Sequence, residues 1–237
     1  MNKDPELYTF LITSYESHGK GAEYITNNLN KIISQTYRPI QVVVSDHSND
    51  DNVENAIKAI DITGIDLVYK RFSEHYGSIA ANWNNALTYA KGSLIQYLAL
   101  DDYLADNNSV KNVVEFFKNS SAQWIACSHR IDPSKEVFVP KWNSNILQGN
   151  SISGPSAIVL RESLKHIALD PDFNCFVDLD WYYRLYKIAG PPTIFNKVTW
   201  VNRHHEDQMS HTVCKGENVI NEQKKLIKKY GYPLPSS

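Results

Sequence analysis

The stretch Ile95-Gln96-Tyr97-Leu98-Ala99-Leu100-Asp101-Asp102-Tyr103-Leu104 decides the fold. A short apolar strand runs into two adjacent carboxylates, and the chain then turns into polar residues and a new helix. Strand ends in α/β sheets are where ligands bind, because the backbone there is rigid and opens onto a crevice. Two neighbouring acids at such an end repel each other unless a cation or a proton offsets them. Mg2+ or Mn2+, hard divalent ions with oxygen ligands, meet that need and bring phosphate-bearing substrates with them. The plain alternative is a solvated Asp-Asp turn that ends a strand, and the pair alone favours it. The rest of the chain reverses the balance.

Upstream, strand and helix alternate. Tyr8 to Thr13 reads as a buried strand, and Ile25, Leu29, Ile32 and Ile33 mark one face of a helix. Gln41 to Ser45 is the second strand, Val53, Ile57 and Ile60 carry the next helix, and Asp66 to Lys70 the next strand. Ile79, Trp83, Ala86, Leu87 and Ala90 repeat at helical spacing, with Gly92 read as the stop before the central strand. Such alternation predicts a mostly parallel sheet covered by helices, with ligands at the carboxyl ends of the strands. Three of those ends carry polar clusters: Thr13-Ser14-Tyr15, Asp46-His47-Ser48 and Asp101-Asp102. No Gly-x-Gly-x-x-Gly follows the first strand and no Walker loop occurs, which disfavours a dinucleotide dehydrogenase and a P-loop NTPase.

Downstream, Val110, Val113, Val114 and Phe117 make a helix and Trp124 to Cys127 a strand. Asp132 to Asn150 lacks periodicity and reads as a long excursion, a length that is uncommon unless the loop binds something or moves. Gly154-Pro155-Ser156 leads into apolar Ala157 to Leu160. A helix from Val177 to Ile188 ends at Gly190-Pro191-Pro192, and Thr193 to Val201 is the last strand. Glu217 to Lys229 is a lysine-rich helix, read as outer packing.

Composition narrows the class. The 237 residues suffice for a proper core, and 42% hydrophobic with 21% charged residues is ordinary for a soluble globular protein. A net charge of −2 gives no electrostatic case for nucleic acid or a membrane surface. The three cysteines (Cys127, Cys175, Cys214) fit no disulfide framework or zinc spacing, so a reducing compartment is expected. The N-terminus, with Lys3, Asp4 and Glu6, lacks a signal-peptide run, and no stretch approaches the ~20 apolar residues of a membrane span. A cytoplasmic protein follows, one that could still work at a membrane through a partner.

Single residues carry two readings each. Asp46 suits an Asx turn as well as a hydrogen bond to a nucleobase or ribose. Asp178 begins a helix on the face of Tyr182 and Leu185, as either a cap or a group held in a site, whereas Asp180 pairs with Arg184 at i, i+4. His204-His205 could place one imidazole beside Asp101 in a metal shell, which suits Mn2+ better than Mg2+, or be surface residues.

In sum these segments resemble the GT-A glycosyltransferases, specifically glycosyltransferase family 2, over Tyr8 to Ser210. LITSY (Leu11 to Tyr15) is similar to the family's first strand and turn. SQTYRPIQVVVSDHSNDD (Ser34 to Asp51) is similar to its early segment, whose aspartate, here Asp46, binds the base. GSIAANWNNALTYAKGSLIQYLALDD (Gly77 to Asp102) resembles the stretch that leads to the metal-binding acids. PSAIVLRESL (Pro155 to Leu164) and FVDLDWYYRLYKIAG (Phe176 to Gly190) are similar to the acceptor loop and the catalytic-base helix, and RHHEDQMS (Arg203 to Ser210) to the closing Arg-x-His loop. Two departures stand out: Ala99 replaces the first acid of Asp-x-Asp-Asp, and Val177 replaces the first of Glu-Asp.

The resemblance implies an α/β GT-A domain: a Rossmann-like, mostly parallel sheet with helices on both faces and an acceptor-side extension. It implies one domain over 1–237, with a nucleotide-sugar half (1–105), an acceptor and catalytic-base half (106–210) and a C-terminal helix (211–237). Thr13, Tyr15, Asp46, Asn82, Asp101 and Asp102 would line the nucleotide sugar, and Arg71 is equally readable as a nucleotide contact or a solvated strand end. Asp101, Asp102 and His205 would hold Mn2+ or Mg2+, with Asp101 the direct ligand. Gly154, Pro155, Ser156 and Trp181 would border the acceptor, although a helix-face tryptophan is more often core. Asp178 would be the general base of an inverting transfer from a nucleotide sugar, UDP-linked in the family's manner, to a hydroxyl on a glycan, glycolipid or other acceptor, as in polysaccharide assembly. The rival readings are an inactive nucleotide-sugar binder of the same fold, kept open by Ala99 and Val177, and a nucleotidyltransferase, for which Thr13 to Lys20 is a poor triphosphate loop.

Overall fold

The computed structural model describes residues 5–231 and all but the side chain of Ser210; Lys3, Asp4 and the final six residues of the 211–237 segment lie outside the described residues. Its framework is one nine-stranded sheet in the order β3-β2-β1-β4-β8-β6-β9-β5, with β7 paired to β6. In chain order the first half comprises β1 (Tyr8–Ser14), α1 (Gly21–Ile33), β2 (Ile40–Asp46), α2 (Asn52–Lys58), β3 (Asp66–Arg71), α3 (Ile79–Thr88) and β4 (Leu94–Ala99). The second comprises β5 (Tyr103–Leu104), α4 (Ser109–Lys118), β6 (Trp124–Asp132), β7 (Val137–Phe138), β8 (Ile158–Arg161), α5 (Val177–Ala189), β9 (Thr193–Arg203), α6 (Met209–Thr212) and α7 (Gly216–Tyr230).

β1 to β4 pair in parallel; the apolar runs of β1, β2 and β4 are buried on both faces, as a sheet layered between helices requires, while β3 at the edge stays half-exposed. The second half is mixed: β8 runs antiparallel to both β4 and β6, while β9 runs parallel to β6. Register puts Thr13 beside Ser45 and Ala99, and Ser14 beside Asp46, so the polar ends of β1, β2 and β4 form one edge.

Gly92 does not stop the helix. α3 ends four residues earlier, and at Gly92 a Cβ would meet Thr9 Oγ1 at 2.5 Å and the Leu7 carbonyl at 2.6 Å. Glycine is needed there because the backbone of β1 passes too close for any side chain.

Trp181, expected at the acceptor, belongs to the core. It has no exposed surface, donates its indole N–H to the Ile167 carbonyl at 2.8 Å and packs its ring 4.6 Å from that of Tyr97. Trp83 continues this aromatic column on the other side of Tyr97 at 4.9 Å. A tryptophan on the inner face of α5 anchors the helix by burying a large ring with its one polar atom satisfied.

The cysteines also correct an expectation. Cys175 and Cys214 form a disulfide with Cα atoms 5.3 Å apart, because the segment before α7 folds back over the start of α5. Only Cys127 is free, and it is buried. The inference of a reducing compartment from unpaired cysteines therefore loses its footing. No helix among the described residues is long and apolar enough to cross a membrane.

Candidate active site

The edge where β1, β2 and β4 end carries the first cluster. Asp46 is the last residue of β2 and has no exposed surface. Its Oδ1 accepts from Ser14 Oγ (2.9 Å), Ser48 N (3.0 Å) and Ser48 Oγ (2.6 Å), and its Oδ2 from Tyr69 OH (2.7 Å). Arg71 Nε lies 3.6 Å from the same Oδ2. Burial and the Asp46 carboxylate together push the Tyr69 hydroxyl well above its ordinary value. Arg71 is itself consumed: it donates to the carbonyls of Ser48 (3.0 Å) and Asp50 (2.7 Å) and to the carboxylates of Asp51 and Glu54. It is the clamp of the turn after β2 and not a free cation. Beside it His47 stacks on Phe72 at 5.1 Å, burial lowers the imidazole's proton affinity, and its Nε2 is buried without a partner among the described residues.

Of the other nucleotide-side candidates, Thr13 is half-buried in β1 and Tyr15 is 43% exposed just beyond it. Asn82 is buried on α3, where its amide donates to the Ser14 carbonyl at 3.4 Å and its Oδ1 has no partner among the described residues. Buried polar atoms are bonded almost everywhere in native proteins, so His47 Nε2 and Asn82 Oδ1 are open acceptors or donors near the ends of β1 and β2.

The acid pair after β4 divides in two. Asp101 is partly exposed, and its Oδ2 lies 3.0 Å from His205 Nε2. Asp102 points inward, 5% exposed, and accepts from Ser156 Oγ (2.5 Å), Asn202 Nδ2 (3.3 Å) and Arg203 N (3.4 Å). Burial, with the Asp101 charge second, pushes its carboxyl well above the usual range. Asp102 thus knits β4 to β9 and does not join a three-ligand metal set. No group of three His, Cys, Asp or Glu among the described residues gathers closely enough to hold an ion. The pair that remains, one carboxylate oxygen and one imidazole nitrogen converging on each other, fits Mn2+ or Mg2+ when substrate oxygens and water complete the shell.

The loop of His205 is fastened on both sides. Arg203 lies over the rings of Tyr24 (4.6 Å) and Tyr103 (5.2 Å), Gln208 donates to the Arg203 carbonyl at 3.0 Å, and Asp207 pairs with Lys20 at 3.3 Å. His204 is exposed, so of the two histidines only His205 faces the acids.

Ser156 is the second correction on the acceptor side. It is buried, donates to Asp102 and accepts from the Ala99 N–H at 3.0 Å, so it holds the acid pair. Gly154 and Pro155, both half-buried, begin the short turn that delivers it. Asn150, at the other end of the same loop, was not recognisable in the sequence. Its Nδ2 donates to Asp178 Oδ2 at 2.6 Å, while its Oδ1 accepts from the N–H groups of Ile152 and Ser153, each at 2.9 Å. Residues 150–156 therefore touch both Asp178 and Asp102.

Asp178, the second residue of α5, is half-buried and is bonded by that amide and by the Leu179 N–H (2.8 Å). Burial raises its carboxyl to about 6 against these bonds and one from its own backbone N–H, and no cation among the described residues pulls it back. A carboxylate tuned toward neutrality is suited to take a proton. Asp180 is structural, as its spacing predicted: Arg184 Nε binds it at 2.8 Å, and Lys229 Nζ, not foreseen, at 2.6 Å.

Comparison with known proteins gives the family and the fold. The model of the family described as Glycosyl transferase family 2 matches residues 9–184. The chain belongs to that family. Among curated relatives of this family member is an uncharacterized glycosyltransferase of Nostoc sp., 24% identical over 148 residues, 62% of this chain and 42% of the relative. The chain thus spans less than half the length of that relative. Among solved structures, S. aureus TarS 1–349 in complex with UDP-GlcNAc superposes with a TM-score of 0.71 at 17% identity, over 97% of this chain and 68% of that one. The mannosyltransferase PcManGT from Pyrobaculum calidifontis, in complex with GDP-Man and Mn2+, gives 0.62 at 18% identity, over 85% and 57%. At such identities the likeness speaks to the fold, which is GT-A.

Proposed function

We propose that this family member is an inverting glycosyltransferase that moves a sugar from a nucleoside-diphosphate sugar, UDP-linked, to an acceptor hydroxyl, with Asp178 as general base. The observation that carries the reading is Asp178: a carboxyl raised to about 6, with no cationic partner, joined by one loop to the acid pair at the sheet edge. The solved neighbours, complexed with UDP-GlcNAc or with GDP-Man and Mn2+, support the donor class.

The chemistry follows from what each group offers. The acceptor oxygen attacks the anomeric carbon as its proton passes to an Asp178 oxygen. The bond from that carbon to the diphosphate oxygen breaks with its electron pair leaving on the diphosphate. Attack opposite the leaving group inverts the centre through an oxocarbenium-like transition state, the same geometry that governs inverting glycoside hydrolysis. Asp101 and His205 would hold Mn2+ or Mg2+, which supplies charge stabilisation to the departing diphosphate. Thr13, Tyr15 and Asn82 line the nucleotide side. Asp46 shapes that side through Ser48, Tyr69 and Arg71. Asp102 and Ser156 keep the end of β4 in place.

The test is a panel of nucleotide sugars assayed by thermal shift and donor hydrolysis, with and without Mn2+, on wild type, Asp101→Asn and Asp178→Asn. The expected pattern is metal-dependent stabilisation by a UDP-sugar that is lost in Asp101→Asn, with hydrolysis lost in Asp178→Asn. Binding without turnover in any acceptor mixture would favour an inactive binder, and no response to any donor would sink the reading.

A further inference from the structure

α7 buries little apolar surface of its own. Of Val219, Ile220, Leu226 and Ile227 only Leu226 is buried, and Ile220 is 49% exposed. The bonds of α7 to the rest of the molecule are largely polar, and they converge on one place. Glu222, 8% exposed, accepts the backbone N–H groups of Asn174 (3.0 Å), Cys175 (2.8 Å) and Phe176 (3.0 Å). Those residues lead directly into α5, whose N-cap, Phe176, has no side-chain cap of its own. The N–H groups at a helix start have no partner within the helix, and a carboxylate is the acceptor that suits them best in both bonding and charge. Here Glu222, from another helix, holds the N–H of the N-cap Phe176 and of the two residues before it.

Three further links attach the same segment. The Cys175–Cys214 disulfide ties the approach to α5 to the chain just before α7. Lys225 Nζ donates to the Asp172 carbonyl at 2.8 Å. Lys229 Nζ (2.6 Å) and Tyr230 OH (2.5 Å) both reach the buried Asp180. All of α7 lies beyond the residues that the family model matches.

We propose that α7 is the positioning element of the base helix, and that Glu222 fixes the first turn of α5 and with it the depth at which Asp178 sits. The inference rests on the reading of Asp178 as the base. Glu222 touches no reacting atom and acts through the backbone of residues 174–176. Depth matters because little else governs this carboxyl. The groups that face it are the Asn150 amide, the Leu179 N–H and Tyr182, whose hydroxyl donates to the Ser153 carbonyl. None of these is a cation, so the depth of burial is the largest influence on how readily Asp178 gives up its proton, with its hydrogen bonds opposing it.

The direct readout is the titration of Asp178 in protein labelled with 13C at the aspartate carboxyl, its signal assigned by its absence in Asp178→Asn. Wild type is expected to titrate near the raised value of about 6. Glu222→Gln, which loses the charge and places an NH2 against donors, is expected to lower the midpoint by about one unit as water reaches the carboxyl. Cys214→Ser changes no charge near Asp178 and removes one link only. It is expected to move the midpoint in the same direction, which an effect of the Glu222 charge through space would not do. Unchanged midpoints in both folded variants overturn the proposal, whatever happens to their melting temperatures. Hydrolysis of UDP-GlcNAc with Mn2+, measured on the same samples, separates the two readings. If Asp178→Asn hydrolyses as wild type does while the midpoints move, the base assignment fails and the positioning role stands. If Asp178→Asn is dead while the midpoints stay fixed, the positioning role fails and the base stands.

Discussion

Asp46 ends a strand with no exposed surface and is closed in by three hydroxyls and a backbone N–H, whereas Asp178 sits half-buried on a helix with one amide and one N–H. The two carboxylates show how one fold gives the same side chain opposite uses. At the end of β2 the acid holds its surroundings together, since Ser48, Tyr69 and Arg71 are placed by it. On α5 the acid is kept underbonded, and burial leaves it with a proton affinity near neutrality. Well-bonded acids build sites, and poorly bonded ones react.

The contrast predicts its own tests. The largest effect belongs to Asp178→Asn, which is expected to lower turnover by roughly 10²–10⁴-fold, the range for loss of a positioned general base, without weakening donor binding. Wild-type turnover should fall as pH drops through about 6, because the base works only when deprotonated. A rate that is flat from pH 5 to 8 would break the comparison.

Asp46→Ala is expected to act on stability first. It strips the acceptor from three hydroxyls and the Ser48 N–H, and at about 1–3 kcal/mol for each buried group left unbonded the loss should be at least ~3 kcal/mol. The measurement is the urea midpoint, with the slope unchanged. A loss below ~1 kcal/mol would mean that the carboxylate is not structural.

Asp178→Asn should have the opposite sign on stability. A carboxyl raised in the folded state is no burden where both states are protonated, below pH ~4, and becomes one as pH rises through about 6. The variant is therefore expected to exceed wild type by up to ~3 kcal/mol at pH 7.5, with the gap closing as pH falls. Paired denaturation curves at pH 4 and 7.5 check this.

Ser156→Ala should show the smallest change, about 1–2 kcal/mol, from loss of its bonds to Asp102 and to the Ala99 N–H. Its sharper consequence is weaker Mn2+-dependent stabilisation by the donor, since Asp101 adjoins the residue that Ser156 holds.

The parts of this molecule that could be read from sequence are those where one local pattern has one physical cause. β1, β2 and β4 are buried on both faces and so spell apolar runs that end in polar residues. The wider layout came from motif order. What escaped is what depends on distant chain meeting. β5 and β7 have two residues each, too short for a period to register. Gly92 looked like a helix stop because its true neighbour, the backbone of β1, lies far away in sequence. Trp181 carries no mark of which side of its helix faces the core. Cys175 and Cys214, 39 residues apart, and Glu222, which fastens the approach to one helix from another, have no signature in spacing. Ser156 and Asn150 could be seen as a polar loop but not as its two grips.

That loop has a metric consequence. Residues 150–156 grip Asp178 at one end and Asp102 at the other. A chain spans at most roughly 3.5 Å per residue, so the backbone between the two grips can extend no further than about 20 Å. The loop is thus a gauge block between two acids, and inserting or deleting a residue there resets the caliper without altering either jaw.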